Sequence, residues 1–236
     1  MTGFELAFTS ALIFGTIAAA LCAIVLTLRS AARKLDDTGR QTARWAAAVV
    51  IGWAAFAIGF GAVFGLDFGI LPPMVAAPLI LGGIFSFSAR GRQLLGAIEL
   101  HHLIAIQIYR IAGFIFLYLY FGPGVLTRGF ALNAGTGDVL TGLLAAPVAW
   151  LAWKKARGHE IAVVAWCLFG IGDLINAGLS SRIYGPASLV DFPINTVPLF
   201  LGPPLGILLH IYALRILWLR RQPAPAAARE AIGPAR

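Results

Sequence analysis

Charged residues are scarce in this chain. Asp, Glu, Lys and Arg make up 12% of its 236 residues, whereas 59% are hydrophobic. This composition excludes a soluble globular fold, because too little polar surface is available, and it predicts an integral membrane protein. Only two cysteines are present, Cys22 and Cys167, and both lie in apolar runs. The sequence therefore predicts neither a disulfide framework nor a cysteine metal site.

The signatures of several enzyme classes are also missing. The chain contains no Cys-x-x-Cys-His, no His-Glu-x-x-His, no Gly-x-Ser-x-Gly and no Walker A sequence. Hydrolase, metalloprotease and NTPase functions therefore lack their minimum parts. The sequence assigns no catalytic residue and no metal ligand set, and it leaves the identity of any cofactor unknown.

Apolar runs dominate what is present, and they predict an all-α membrane protein with seven transmembrane helices. We expect one membrane domain over residues 1–221 and a flexible cytoplasmic tail over 222–236. The seven predicted spans are 4–28, 45–66, 70–87, 98–121, 139–153, 161–179 and 194–219.

The positions of the cations predict the orientation of the chain. Only Arg128 and Arg182 fall in loops on one side, and Arg110 lies inside a span, whereas fifteen of the eighteen Lys and Arg residues fall on the other side. The positive-inside rule then places the N-terminus outside and the C-terminus in the cytoplasm. We expect the protein to lie in the inner membrane of the cell. The net charge of +8 thus reflects topology, so the partner is the bilayer and no nucleic-acid role is predicted. The fifteen are Arg29, Arg33, Lys34, Arg40, Arg44, Arg90, Arg92, Lys154, Lys155, Arg157, Arg215, Arg220, Arg221, Arg229 and Arg236.

Two segments of the chain are similar to each other. Residues 53–66 and 166–179 share six identities in fourteen positions, beginning at Trp53 and Trp166. The match predicts an internal repeat of about 4–89 and 138–219, joined by a linker helix at about 98–121. Because each repeat has three spans, the linker makes the halves parallel, and a site between two halves is a recurrent transporter plan. The alternative is chance agreement among residues that are common in membrane helices.

This plan is similar in architecture to the three-plus-one-plus-three carriers of the SWEET and PQ-loop groups, which carry sugars and amino acids. The chain has no Pro-Gln pair, so the resemblance stops at architecture. At the level of sequence, segments 107–113 and 130–138, the step Gly172-Asp173-Leu174 and the pair Leu209-His210 resemble a bacterial multi-spanning family without an assigned activity. Opsin chemistry is excluded, since the seventh span has no lysine for a retinal Schiff base.

Asp173 and Arg110 are the candidate site residues. An ionisable group well inside a span is costly and usually faces the bundle interior or water. Counting the helical rise places both residues about 20 Å from the cytoplasmic ends of their spans, so we expect them to pair. Asn176, one turn after Asp173, extends the predicted solute-binding face. The alternative is an ion pair or hydrogen-bonded contact that only holds helices together.

His210 completes the predicted solute-binding set, and together with His102 it is a weak candidate for haem ligation. Two histidines on different spans also suit a proton relay, although an interfacial histidine is more often solvated. The proline clusters at 72–78 and 198–204 predict broken helices at matched positions, or ordinary kinks. Asp67, Asp138 and Asp191 are predicted to cap outer helix starts.

The leading functional prediction is a transporter for a small solute or ion, with a polar site at the membrane midplane between the halves. The alternatives are a redox protein that binds haem or quinone and a non-catalytic assembly subunit or receptor. A homo-oligomer is compatible with each of them.

Overall fold

The computed structural model describes residues 2–65, 69–184, 193 and 196–222. Those residues form helices and connecting turns, without strands, and six of the helices are long and apolar enough to cross a membrane. The prediction of an all-helical, multi-pass membrane protein is confirmed. The helices are α1 (Gly3–Ala32), α2 (Asp37–Phe64), α3 (Leu71–Phe87), α4 (Ala89–Ala97), α5 (Leu100–Phe121), α6 (Arg128–Lys154), α7 (His159–Tyr184) and α8 (Val197–Arg221).

The third predicted span corresponds to α3, which is shorter than each of the six spanning helices. It has 17 residues and bends by 86° into α4, so the described chain has six spanning helices, or up to seven if α3 and α4 form one broken span. The bend is at Ser88, whose hydroxyl accepts a hydrogen bond from the Gly91 amide at 2.9 Å and starts the new helix. At 1.5 Å per residue, α3 is about 25 Å long, which is short for a hydrocarbon core of about 30 Å.

The predicted start of the fifth span was wrong. The sequence placed it at 139–153, but α6 begins at Arg128 and has 27 residues. Residues 131–135 of α6 form a π-helical segment. A hydropathy pattern does not detect this part of the helix, because the stretch is rich in polar residues and glycine. A helix can still form there, since its backbone groups hydrogen-bond to one another whatever the side chains are. Asp138 therefore lies inside a long helix and not at its outer end, as the capping prediction required.

The predicted breaks at the proline clusters were also wrong. Pro72 and Pro73 occupy the first turn of α3, where proline is tolerated, and α8 is continuous through Pro203 and Pro204. The irregular backbone lies elsewhere, in the 3-10 segment Gln107–Gly113 of α5 and in the π segment of α6. Segments of these two kinds within helices often mark functional positions.

Packing divides the bundle interior into three layers. One apolar cluster contains Leu95, Ile104 and Leu217, and the other contains Phe116 and Phe200. Polar side chains of α5, α6, α7 and α8, most of them buried, lie between the two clusters. These are Gln107, Arg110, Asp138, Thr141, Asp173 and His210.

Ion pairs collect at the bundle end that contains the α1–α2 turn. Lys34 Nζ lies 2.5 Å from Glu99 Oε1, and Arg220 Nη2 lies 4.0 Å from Glu99 Oε2. Hydrogen bonding to Lys34 lowers the pKa of Glu99. Arg221 pairs with Glu160 at the same end, at 2.5 Å. The predicted gathering of these cations at one end is present, whereas the side of the membrane that they face stays a prediction.

The internal repeat also stays a prediction. Trp53 and Trp166 lie on α2 and α7, but α7 packs along α8, whereas α3 packs mainly on α8. Asp67 and Asp191, which the repeat was expected to align, lie outside the described residues, as do residues 223–236 of the predicted tail.

Candidate functional site

The guanidinium of Arg110 is the centre of a buried cluster of charged and polar groups. Its Nε donates to Asp138 Oδ1 at 2.7 Å, and its Nη2 donates to Asp173 Oδ2. Its Nη1 donates to the Gly170 carbonyl at 3.3 Å and lies 3.3 Å from His210 Nε2. Arg110 is 2% exposed, so the pairs form away from solvent. One guanidinium thus joins α5 to α6, α7 and α8.

Glycines make this close approach of helices feasible. The position of a Cβ on Gly137 would overlap the Asp173 carboxylate, and one on Gly170 would overlap the His210 ring. A Cβ on Gly142 would lie 2.5 Å from the backbone nitrogen of Ile111, next to Arg110. A larger residue at any of these positions would separate the helices that carry the cluster.

His210 is fully buried against Trp166, with ring centroids 4.5 Å apart. Because arginine has no acceptor, the His210 Nε2 that faces Arg110 is the acceptor, and the ring is the neutral tautomer with its proton on Nδ1. That Nδ1 has no hydrogen-bond partner among the described residues. Trp166 is itself fixed, because its Nε1 donates to the Thr141 carbonyl at 3.0 Å.

A cavity of about 130 Å³ adjoins the cluster. Arg110 and Asp138 form its charged end, together with Tyr109, and the rest of its wall is mainly apolar. An engineered cavity of about 150 Å³ holds benzene, so this volume suits a molecule of about six heavy atoms. Pro203 also lines it and leaves a carbonyl of the preceding helical turn without its usual donor. The lining comes from α1, α2, α5, α6, α7 and α8.

A larger cleft of about 1000 Å³ lies between α2, α3 and α8. Val50, Trp53 and Leu205 line both the cleft and the smaller cavity. At the other end, the cleft reaches Gln41 and Arg90, near the end of the bundle where the ion pairs collect. The cavity and the cleft therefore share part of their mainly apolar lining.

The structure brings three of the predicted site residues together. Arg110, Asp173 and His210 meet in the cluster, and the predicted contact between Arg110 and Asp173 is present. Asn176 is exposed on α7 and does not lie with them. Sequence reasoning missed Asp138 as a cluster member, since it was taken for an outer cap. Asp138 follows Asn133, Thr136 and Gly137, and hydropathy alone favours a loop for so polar a segment. The same residues can also form a helix, and that possibility was the available signal.

His102 and His210 are not placed to hold one haem iron. His102 lies eight residues before Arg110 on α5, which corresponds to about 12 Å of helical rise. His210 Nε2, the atom that a haem iron would need, faces the Arg110 guanidinium at 3.3 Å. His102 instead lies beside His101, with ring centroids 4.3 Å apart.

The fold and the cluster define a multi-pass helical membrane protein with a buried arginine–carboxylate centre. The chain belongs to the family described as Domain of unknown function (DUF8737), whose model matches residues 68–218. The match runs from α3 through most of α8, so it contains every member of the cluster, whereas α1 and α2 lie outside it. No curated protein and no solved structure matches the chain.

Trp166 and Trp53, which begin the two similar segments of the sequence, give a prediction about what supports the cluster. Trp166→Phe removes the hydrogen bond to the Thr141 carbonyl, and we expect a loss of about 1 kcal/mol in the free energy of unfolding. Trp53→Phe is the matched control, because Trp53 Nε1 is buried without a partner among the described residues. Denaturant titration of both purified variants in detergent measures the difference. Equal losses would contradict a specific role for the Trp166 hydrogen bond.

Proposed function

We propose that this protein is a transporter for a small solute or ion, and that its binding site is the cavity beside Arg110. The observation that carries the proposal is a buried guanidinium that pairs with two carboxylates and, together with one of them, Asp138, lines a cavity in the middle layer of the bundle. We further propose the inner-membrane location, the outside N-terminus and the two parallel halves that the sequence indicates.

The energetic cost of the cluster supports a role beyond packing. Burying an ion pair is often no more stabilising than filling the same volume with apolar side chains. Here three ionisable side chains are brought together, and two of the four helices that meet at the cluster depart from α-geometry. A site that binds a polar ligand gives these groups a use that helix packing alone does not require.

The cavity also indicates the kind of solute. Its apolar wall suits a small organic group, and its charged end offers the guanidinium and a carboxylate for a polar group. Such pockets usually combine apolar lining with a few placed polar groups. We therefore propose a compact solute with one polar end, of roughly benzene size.

A cavity-filling variant tests the site. Ala177 lines the cavity from α7, and Ala165 is exposed on the same helix. We expect a panel of small solutes to include one that raises the melting temperature of the wild type and enters proteoliposomes. Ala177→Phe should abolish both effects, because the ring fills the cavity, whereas Ala165→Phe should retain them.

Two results would contradict the proposal. One is that no solute in a chemically broad panel stabilises the folded wild type or crosses the vesicle membrane. The other is that Ala177→Phe binds and transports as the wild type does, which would place the route elsewhere.

A further inference from the structure

The buried cluster contains two acidic groups but only one positively charged group. Arg110 is always protonated, and it faces two carboxylates, Asp138 and Asp173. From α8 the cluster is faced by His210, which is neutral because its Nε2 accepts from Arg110. The other groups of the described chain that face it are uncharged. They are Tyr109 and Gln107 of α5, Thr141 of α6, Trp166 of α7, Thr16 of α1 and Trp53 of α2.

With both carboxylates ionised, the cluster would hold a net charge of −1 among apolar layers. An uncompensated charge in such surroundings is so costly that the group is neutralised instead. Two carboxylates that share a single site behave in this way, and one of them keeps a proton. The charge count therefore calls for one additional positive charge when the cluster is at rest.

A proton fits this requirement better than a metal cation. A metal ion needs several oxygen ligands around it. In the cluster, the guanidinium already takes one oxygen of each carboxylate, and the cavity wall beyond Asp138 is mainly apolar. A proton needs only one carboxylate oxygen.

Access to the cavity distinguishes the two carboxylates. The Asp138 side chain is 18% exposed and lines the cavity, whereas the Asp173 side chain is 5% exposed and does not line it. A second, independent observation is that Nδ1 of the fully buried His210 has no hydrogen-bond partner among the described residues, so the polar layer does not satisfy all of its own hydrogen-bonding groups. Asp138 is thus the carboxyl group from which a proton can leave through the cavity.

We propose that the Arg110 cluster binds one exchangeable proton, shared between Asp138 and Asp173 and released through Asp138. On release, the O–H bond of the carboxylic acid breaks, its electron pair stays on the carboxylate, and the proton passes to a water molecule. The proton would be the coupling ion of transport. That coupling rests on the proposed function, whereas proton binding itself does not.

Infrared spectroscopy of the folded protein tests proton binding without any solute. The full-length wild type in detergent, with Asp labelled by ¹³C at its carboxyl carbon, should show an isotope-shifted C=O band of a buried carboxylic acid at neutral pH. Asp138→Asn and Asp173→Asn should each lose the band, because each leaves one carboxylate for one guanidinium. Asp37→Asn is the control and should keep the band, since the Asp37 side chain is 97% exposed.

Each outcome decides the proposal. Absence of the band in the folded wild type overturns it, even if the variants do not fold. Persistence of the band in either cluster variant also overturns it, because the proton would then not depend on the second carboxylate. If the band behaves as expected but no solute is transported, proton binding stands and the transporter proposal fails.

Discussion

Arg110→Gln should lower the free energy of unfolding by about 3–5 kcal/mol, because it removes the cation that pairs with the carboxyl groups of Asp138 and Asp173. All three guanidinium nitrogens make contacts within the cluster, so glutamine cannot replace its geometry. Denaturant unfolding in detergent measures the loss. Arg40→Gln is the matched control, since Arg40 is 45% exposed and pairs with Asp37 at the surface. Its loss should stay below about 1 kcal/mol.

Combining substitutions separates the structural role of the cluster from its functional role. The triple variant Arg110→Gln, Asp138→Asn, Asp173→Asn contains no stranded charge, so it should recover much of the stability that Arg110→Gln loses. If the cluster is the transport site, this variant is folded but does not transport. Recovery of stability and transport together would show that the cluster only holds the helices. A loss for Arg110→Gln no larger than that for Arg40→Gln would contradict the pairing itself.

Gly142→Ala should destabilise the fold by about 1–3 kcal/mol and displace Arg110. The added methyl group would lie 2.5 Å from the backbone nitrogen of Ile111 and 3.0 Å from the backbone carbonyl carbon of Arg110. Rigid backbone cannot move aside as a flexible side chain can, so α5 and α6 must separate. Thermal unfolding gives the loss of stability, and solute binding or the infrared band reports the displacement.

The control for this prediction is Gly172→Ala on α7. A Cβ there meets nothing within 4 Å, so the substitution adds no clash. Alanine is favoured over glycine in a helix by about 1 kcal/mol, so this variant should be as stable as the wild type or slightly more stable. A loss for Gly172→Ala that equals the loss for Gly142→Ala would mean that close helix approach is not what Gly142 provides.

The residues that the sequence identified correctly are those for which elementary physics leaves few choices. An arginine and an aspartate in apolar runs must find partners in the bundle interior, and the helical rise places them at one depth. The contact between Arg110 and Asp173 followed from these two facts. Composition likewise determined the membrane class, because a chain with so few charged residues has too little polar surface for a soluble fold and has apolar runs long enough to cross a bilayer.

The tertiary structure decided which side chains reach the cluster and which helices contact each other, and helical periodicity and hydropathy do not contain this information. Asp138 joins the cluster because α6 begins at Arg128, which places Asp138 within the helix and beside Arg110. Asn176 lies outside the cluster because its side of α7 is exposed in the packed bundle, although it is only about one helical turn from Asp173. Likewise, Gly137, Gly142 and Gly170 acquire their roles only from the helix that each one meets. Side-chain chemistry and depth are properties of the chain, whereas rotation and contact between helices exist only after packing.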